Sequence, residues 1–328
     1  MNLKKVILTT VCALLFISYG YSQDADDEVE VVDSPWTFSI TTDLAYYPKS
    51  DFIAGKTHFA PLTGVYSGLE GRVTGSAKYT IPTPLGDHWL LSSATLDLTG
   101  KLEVSPVSVK PAFELSWTPL PFIVFAAGGQ AGTGWNLGGL QGMAVLADDG
   151  QSYTNLKPFN TFYVKYYAQG TFQFDTGAIV KGDWTHFQIM YTYQVYNEML
   201  TGLKNQTIWE WQCSGNKVNG LKNYQSLILA YQMPLVLSRV GVLTEFEGFY
   251  KDDAYANPDY NSTFNQISIN PLCQFTFNDH NVLSTVFGFS SRRSFTTAHT
   301  DKIEETKLTY AGYEWFFNRI ALSWTYTF

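Results

Sequence analysis

The sequence is poor in charged residues, and after its first two dozen residues it contains no long apolar run. Charged residues make up 15% of its 328 residues, whereas about a quarter is usual in a soluble domain. A membrane-spanning helix needs about 20 consecutive apolar residues, and the mean hydropathy is only −0.08. The composition therefore disfavours both an ordinary soluble domain and a helical membrane protein. A transmembrane β-barrel combines low charge with a mean hydropathy near zero, because only alternate side chains meet lipid.

Cysteine is also scarce, with three residues in the whole chain. Cys12 lies in an N-terminal leader, and Cys213 and Cys273 are predicted near opposite ends of the strands. A disulfide requires Cα atoms within about 7 Å, whereas the apolar band of a membrane barrel is about 25 Å tall. We therefore predict that Cys213 and Cys273 form no disulfide. Because no zinc-ligand spacing is present, we expect no metal and no cofactor.

Motifs for catalysis and nucleic-acid binding are missing as well. Covalent hydrolysis needs a nucleophile, a base within hydrogen-bond reach and an orienting group. The sequence has no Gly-x-Ser-x-Gly elbow and no paired-histidine motif. We therefore predict that the protein is not an enzyme. A net charge of −8 without a basic cluster argues against nucleic acid as a partner.

The first residues have the features of a secretory signal peptide. Lys4 and Lys5 form a positive start, and residues 6–17 form an apolar segment that is too short for a spanning helix. We predict that residues 1–22 are a cleaved signal peptide. Residues 23–34 are rich in acidic side chains and are predicted to form a solvated periplasmic tail.

From residue 35 onward, apolar and polar side chains alternate in segments that are separated by turn residues. The side chains of a strand point alternately to its two faces, so each segment has one apolar face. The predicted strands are 35–47, 69–82, 89–104, 107–117, 122–131, 160–175, 186–199, 224–233, 239–250, 264–277, 282–295 and 306–328. Nearly every charge inside a strand falls on the face opposite the apolar residues. An arginine or lysine on the lipid face would cost about 2–4 kcal/mol at the bilayer midplane.

The predicted connections alternate between long and short, as in bacterial outer-membrane barrels. Residues 35–328 are therefore predicted to form an all-β membrane protein, a closed antiparallel transmembrane β-barrel of about 12 strands (range 10–14). The long loops are predicted to be extracellular and the short turns periplasmic. A soluble β-sandwich is the alternative, but its strands would usually be shorter and its two apolar faces would have to meet.

The last strand carries a further signal. Trp324, Tyr326 and Phe328 share one face, and the chain stops on the aromatic Phe328. This ending resembles the C-terminal strand signal of bacterial outer-membrane β-barrel (porin-like) proteins. The resemblance implies a location in the outer membrane of a Gram-negative-type bacterium, contact with its lipid, and assembly by the barrel-assembly machinery through these three residues.

The polar faces of the strands supply candidate pore-lining residues. They are Arg72, Lys78, Asp97, Lys101, Lys110, Glu114, Lys165, Glu245 and Glu247. In one hypothesis, the basic residues on the second to fourth strands form a stripe opposite Glu245 and Glu247, and the resulting transverse field selects solutes. In the other, the acidic residues on those same strands neutralise the basic ones. Both remain open from the sequence.

Two long loops are candidates for shaping the outer mouth. Residues 132–159 are glycine-rich and partly apolar, and they form either a constriction inside the pore or a surface loop. Trp209 and Trp211, in the loop 200–223, either stack on sugar rings or pack at the membrane interface and within the loops. We expect an outer-membrane channel for passive diffusion of small polar solutes. A transporter of hydrophobic compounds and a surface adhesin or structural barrel that acts through its loops are the alternatives.

Overall fold

In the computed structural model, twelve antiparallel strands form a closed barrel. The model describes residues 34–300 and 302–328, so the predicted signal peptide and all but the last residue of the predicted acidic tail lie outside the described residues. The strands are β1 (Trp36–Lys49), β2 (Gly64–Pro82), β3 (Thr95–Ser105), β4 (Ser108–Leu120), β5 (Ile123–Gly134), β6 (Tyr163–Asp175), β7 (Phe187–Leu200), β8 (Gly220–Gln232), β9 (Leu237–Phe249), β10 (Gln266–Asn278), β11 (Asn281–Phe295) and β12 (Tyr310–Thr327).

Each strand pairs with its chain neighbours, and β1 pairs with β12 to close the sheet. The closing register runs from Ser39 opposite Thr327 to Tyr46 opposite Ile320. The predicted closed antiparallel barrel of about 12 strands is confirmed.

The outside of the barrel is apolar and the inside is polar. On β4, the Phe113 side chain is 56% exposed, whereas Lys110 and Glu114 are 4% and 5% exposed. Trp324 on β12 and Phe328 directly after it are exposed in the same way. The charged residues of β2 to β10 all fall on the face opposite this apolar band. Because lipid is the solvent that such a band requires, the strands span a membrane and their charged face lines the lumen.

Long connections lie at one end of the barrel. The end where β1 begins and β12 stops carries the short connections 121–122, 233–236 and 279–280, and also the longer segments 83–94 and 176–186. The opposite end carries the long connections 50–63, 135–162, 201–219, 250–265 and 296–309. The short-turn end is periplasmic in barrels of this kind, and the loop end is outside. The hairpin between β3 and β4 is a short connection at the outer end.

One predicted strand start needs correction because it falls in a helix. The third strand was expected to begin at residue 89, but the one-turn helix α1 (Trp89–Ser92) precedes β3. The His88 ring accepts a hydrogen bond from the Leu90 amide and caps this helix, so Leu90 lies outside the strand. A short apolar run does not distinguish helix from strand, which explains the error. In the final strand, Asn318 is the extra residue of a bulge, and β12 continues through it.

The remaining helical pieces are 3₁₀ turns at Thr176–Ala178, Pro258–Tyr260 and Lys302–Lys307. None of the helices in the described chain is both long and apolar enough to cross a membrane. Cys213 and Cys273 form no disulfide, as predicted, and the Cys213 thiol donates to the Gln141 carbonyl at 3.4 Å.

Candidate functional site: the lumen and its outer cap

The lumen side of β1–β4 holds a chain of ion pairs. The Arg72 Nε lies 2.8 Å from the Asp43 Oδ2, and its Nη1 lies 3.5 Å from the Glu103 Oε2. The Lys110 Nζ lies 3.1 Å from the other oxygen of Glu103. These side chains are no more than 12% exposed. Charges that pair at this depth neutralise each other with little screening by solvent.

Other predicted lining residues lie on the same half of the barrel. The Lys101 Nζ is 3.9 Å from Glu114, which also accepts a hydrogen bond from the Tyr167 hydroxyl. Among the described residues, neither Lys78 nor Asp97 takes part in an ion pair. The contacts on this wall thus follow the self-neutralising alternative and not the uniform basic stripe. Whether these residues line a conducting pore stays a prediction.

The opposite wall presents its carboxylates differently. Glu245 accepts hydrogen bonds from the Tyr224 hydroxyl (2.6 Å) and the Asn270 amide (2.9 Å). Within the described chain, no basic side chain lies within 4 Å of Glu245. Glu247 accepts from the Tyr196 hydroxyl at 2.5 Å and lies 3.7 Å from the Lys222 Nζ. Glu245 is therefore held by neutral hydrogen-bond donors.

Nearer the outer mouth, Glu198 joins the wall to the loops. Its two carboxylate oxygens lie 2.8 Å from the Lys217 Nζ and 2.9 Å from the Lys222 Nζ. The Tyr163 hydroxyl donates to the same carboxylate at 3.1 Å. The predicted lining residue Lys165 lies close by, with its Nζ 3.8 Å from the centre of the Tyr196 ring.

Two outer loops fold together into a small four-stranded sheet over the mouth, which we call the cap sheet. Its strands are Met143–Leu146, Tyr153–Asn155, Trp209–Trp211 and Ser214–Lys217. The glycine-rich segment is therefore not an isolated surface loop, since it pairs with the second long loop.

The cap sheet is held against the inner side of the wall. The Trp211 ring stacks on the Tyr163 ring of β6 at 4.6 Å, and the Gln212 amide donates to the Ser108 hydroxyl at 2.6 Å. Trp209 and Trp211 are buried. Of the roles predicted for these tryptophans, packing within the loops is the one that the structure shows. The two contacts join residues 48 and 104 positions apart in the sequence, and no local sequence signal specifies them.

The loop 50–63 closes the outer part of the seam between β1 and β12. Above Ile320, the edge of β12 is paired in parallel by the short strand His58–Phe59. Glu314 is 1% exposed and ion-paired with Arg292. It also accepts a hydrogen bond from the Ile53 amide at 2.8 Å. This buried carboxylate fixes the loop to the wall, a role that the sequence analysis did not predict.

The lumen also contains an apolar patch that the sequence analysis missed. Its buried members are Met190, Ile228, Ala230, Leu243, Leu272 and Val286. Ile228 lies opposite Met190 on one side and Leu243 on the other, so these side chains share the inner face of β7–β9. The sequence signal for this patch is a set of apolar residues at positions that the alternation assigns to the lumen face.

The solved structures that match this chain are outer-membrane β-barrel proteins. An outer membrane channel from Pseudomonas putida F1 is 10% identical with a TM-score of 0.47, and the match covers 93% of this chain and 100% of that chain. The beta domain of the Bordetella autotransporter BrkA is 6% identical with a TM-score of 0.42, covering 89% and 99%. A deletion mutant of the TodX monoaromatic hydrocarbon channel is 10% identical with a TM-score of 0.34, covering 90% of each.

Likeness at this level concerns the barrel architecture and says nothing about a solute. No family model and no curated protein matches the chain.

Proposed function

We propose that the protein is an outer-membrane channel through which small polar solutes diffuse, with the cap sheet narrowing its outer mouth. The observation that carries this proposal is the polar lumen of a twelve-stranded barrel. Charged and hydrogen-bonding side chains line it from Gln188 and Arg239 at the periplasmic end to Glu198 at the outer end. Eight strands give an interior that side chains can fill, and a larger ring encloses more space.

The proposed location is the outer membrane of a Gram-negative-type bacterium, reached by way of the predicted signal peptide. Trp324, Tyr326 and Phe328 are exposed on the outer face of β12. Such a surface is accessible to the barrel-assembly machinery, which we propose recognises this strand.

Single-channel recording of the purified, refolded protein in planar bilayers tests the channel proposal. We expect discrete conductance steps from the wild type, and larger steps from the variant Trp211→Ala, because it removes a contact that holds the cap sheet. The exposed Trp184 at a periplasmic turn provides a control, and Trp184→Ala is expected to conduct like the wild type. Silence from the wild type and from the cap variant alike would contradict the proposal.

The apolar patch favours a second candidate, a transporter of hydrophobic compounds. Met190, Ile228 and Leu243 place hydrocarbon on the inner wall, which offers no hydrogen bonds to a polar solute. Uptake into liposomes separates the two functions: the channel admits a small neutral sugar, whereas the transporter admits a small aromatic compound and excludes the sugar. If neither passes, the loops carry the function, as in an adhesin or a structural barrel.

A further inference from the structure

Arg239 on β9 lies in the lumen close to the periplasmic end and is 8% exposed. Its Nη1 donates to the Gln274 side-chain oxygen at 3.0 Å, and its Nη2 donates to the Gln232 side-chain oxygen at 3.4 Å. The Arg239 Nε is buried and has no hydrogen-bond partner. The guanidinium is thus held by neutral amide oxygens alone.

No carboxylate in the described chain lies within 4 Å of Arg239. Asp175 belongs to the same layer, but the Gln188 amide donates to it at 2.9 Å and the His186 ring lies 3.0 Å from it. Arg72, by contrast, has two carboxylate partners. A buried cation with no carboxylate in contact is costly, and an incoming anion that reaches it directly would relieve that cost.

The surroundings of Arg239 indicate the kind of anion. One inward position further along β9 is Gly241, which lies between Ala230 and Leu272. These two side chains belong to the apolar patch. Positions two apart on a strand are about 7 Å apart, so a cationic fork and a hydrocarbon wall lie within the length of one small molecule.

We propose that Arg239 is a binding subsite for small carboxylates that carry an apolar body, at the periplasmic end of the solute pathway. The carboxylate displaces the two glutamine oxygens from the guanidinium, and the apolar body lies against Ala230 and Leu272. The exchange is favourable because a hydrogen bond to an ionised acceptor is about twice as strong as one to a neutral acceptor. The transport role of this subsite rests on the proposed channel function, but binding itself does not.

Binding is tested first, by isothermal titration of the full-length protein in detergent micelles with benzoate. Wild-type protein is expected to bind, and Arg239→Gln is expected to bind about tenfold more weakly, the loss typical of one charge-assisted hydrogen bond. Arg239→Lys keeps the charge without the planar fork and is expected to fall between the two. Lys181→Gln, which removes an exposed cation from the β6–β7 turn, is the matched control and is expected to bind like the wild type.

Inorganic phosphate tests the apolar half of the subsite, because it has no hydrocarbon, and weaker binding than benzoate is expected. If the wild type binds no benzoate, or if correctly folded Arg239→Gln and Arg239→Lys bind it as tightly as the wild type, the subsite is refuted. Phosphate binding as tight as benzoate binding would refute the apolar wall.

Flux through liposomes then separates the subsite from the channel. We expect Arg239→Gln to lower benzoate flux relative to the flux of a neutral sugar, while sugar flux persists. If Arg239→Gln still conducts the sugar and its ratio of benzoate flux to sugar flux equals that of the wild type, the subsite is refuted and the channel proposal is retained. Arginine-dependent benzoate binding without any flux would overturn the channel and leave the subsite standing.

Discussion

The two walls of the lumen treat charge in opposite ways. The paired wall, formed by the lumen side chains of β1–β4, matches Arg72 and Lys110 with nearby carboxylates. The unpaired wall is the lumen face of β7–β11 from Arg239 up to Glu245. There, Arg239 and Glu245 hydrogen-bond to neutral side chains. A paired charge stabilises the barrel and presents little field to a solute. An unpaired charge adds little to stability and remains able to act on what passes.

The largest expected effect of this contrast is on stability. Arg72→Met leaves Asp43 and Glu103 buried beside each other without their shared cation, so we expect a loss of about 3–5 kcal/mol in the free energy of unfolding. Arg239→Met leaves no carboxylate stranded and is expected to cost less than about 1 kcal/mol or to stabilise the barrel. Urea unfolding in lipid vesicles, followed by tryptophan fluorescence, measures both. Equal losses would contradict the distinction between the walls.

The cap sheet docks on two strands of the wall, because Gln212 bonds to Ser108 on β4 and Trp211 stacks on Tyr163 on β6. Trp211→Ala removes a buried ring and is expected to weaken the docking of the cap by about 3 kcal/mol. Faster amide hydrogen exchange in the segments 143–155 and 209–217 would report the loss. Exchange in β8–β10 is expected to stay as slow as in the wild type. Loss of protection in those strands as well would mean that Trp211 supports the whole barrel.

Neutralising one carboxylate on each wall distinguishes an effect on stability from an effect on ion selectivity. Glu245→Gln retains side-chain hydrogen bonding and loses only an unpaired charge, so it should reduce cation selectivity and change stability by about 1 kcal/mol or less. Glu103→Gln takes a partner from Lys110 and should cost about 3 kcal/mol. Reversal potentials in a salt gradient measure the selectivity. The reverse assignment of the two effects would exchange the roles that we give to the walls.

The smallest expected effect tests whether the apolar patch is packed. Ile228 lies between Met190 and Leu243, so Ile228→Val should cost about 0.5–1.5 kcal/mol. Ile189 is on the opposite face of its strand, toward lipid, and Ile189→Val is expected to cost less because fluid acyl chains fill the space. The same urea titration measures both variants. A larger loss at Ile189 would show that the outer face is packed more tightly than the lumen.

Much of the barrel follows from the period of two in the sequence. Phe113 beside Glu114, or Val240 beside Arg239, shows which face meets lipid before any fold is known, because a charge in hydrocarbon is so costly. The number of strands and the alternation of long and short connections follow from the turn residues. The helix α1 was missed because its apolar residues are too few to show a period.

The partners of the lumen charges do not follow from that period. Arg72 and Arg239 both lie on the lumen face of their strands, yet one has two carboxylate partners and the other has two amides. The difference depends on the register between neighbouring strands, which places Asp43 opposite Arg72 and Gln274 opposite Arg239. Short-range patterns cannot set a register that the whole ring determines.

The sequence by itself therefore determined the two faces of each strand, because lipid enforces them residue by residue. The tertiary structure alone decided which charges are neutralised, how the cap sheet assembles from two distant loops, and that Arg239 stands next to an apolar wall. These outcomes depend on side chains that meet only when the ring closes, and closure is a property of all twelve strands together.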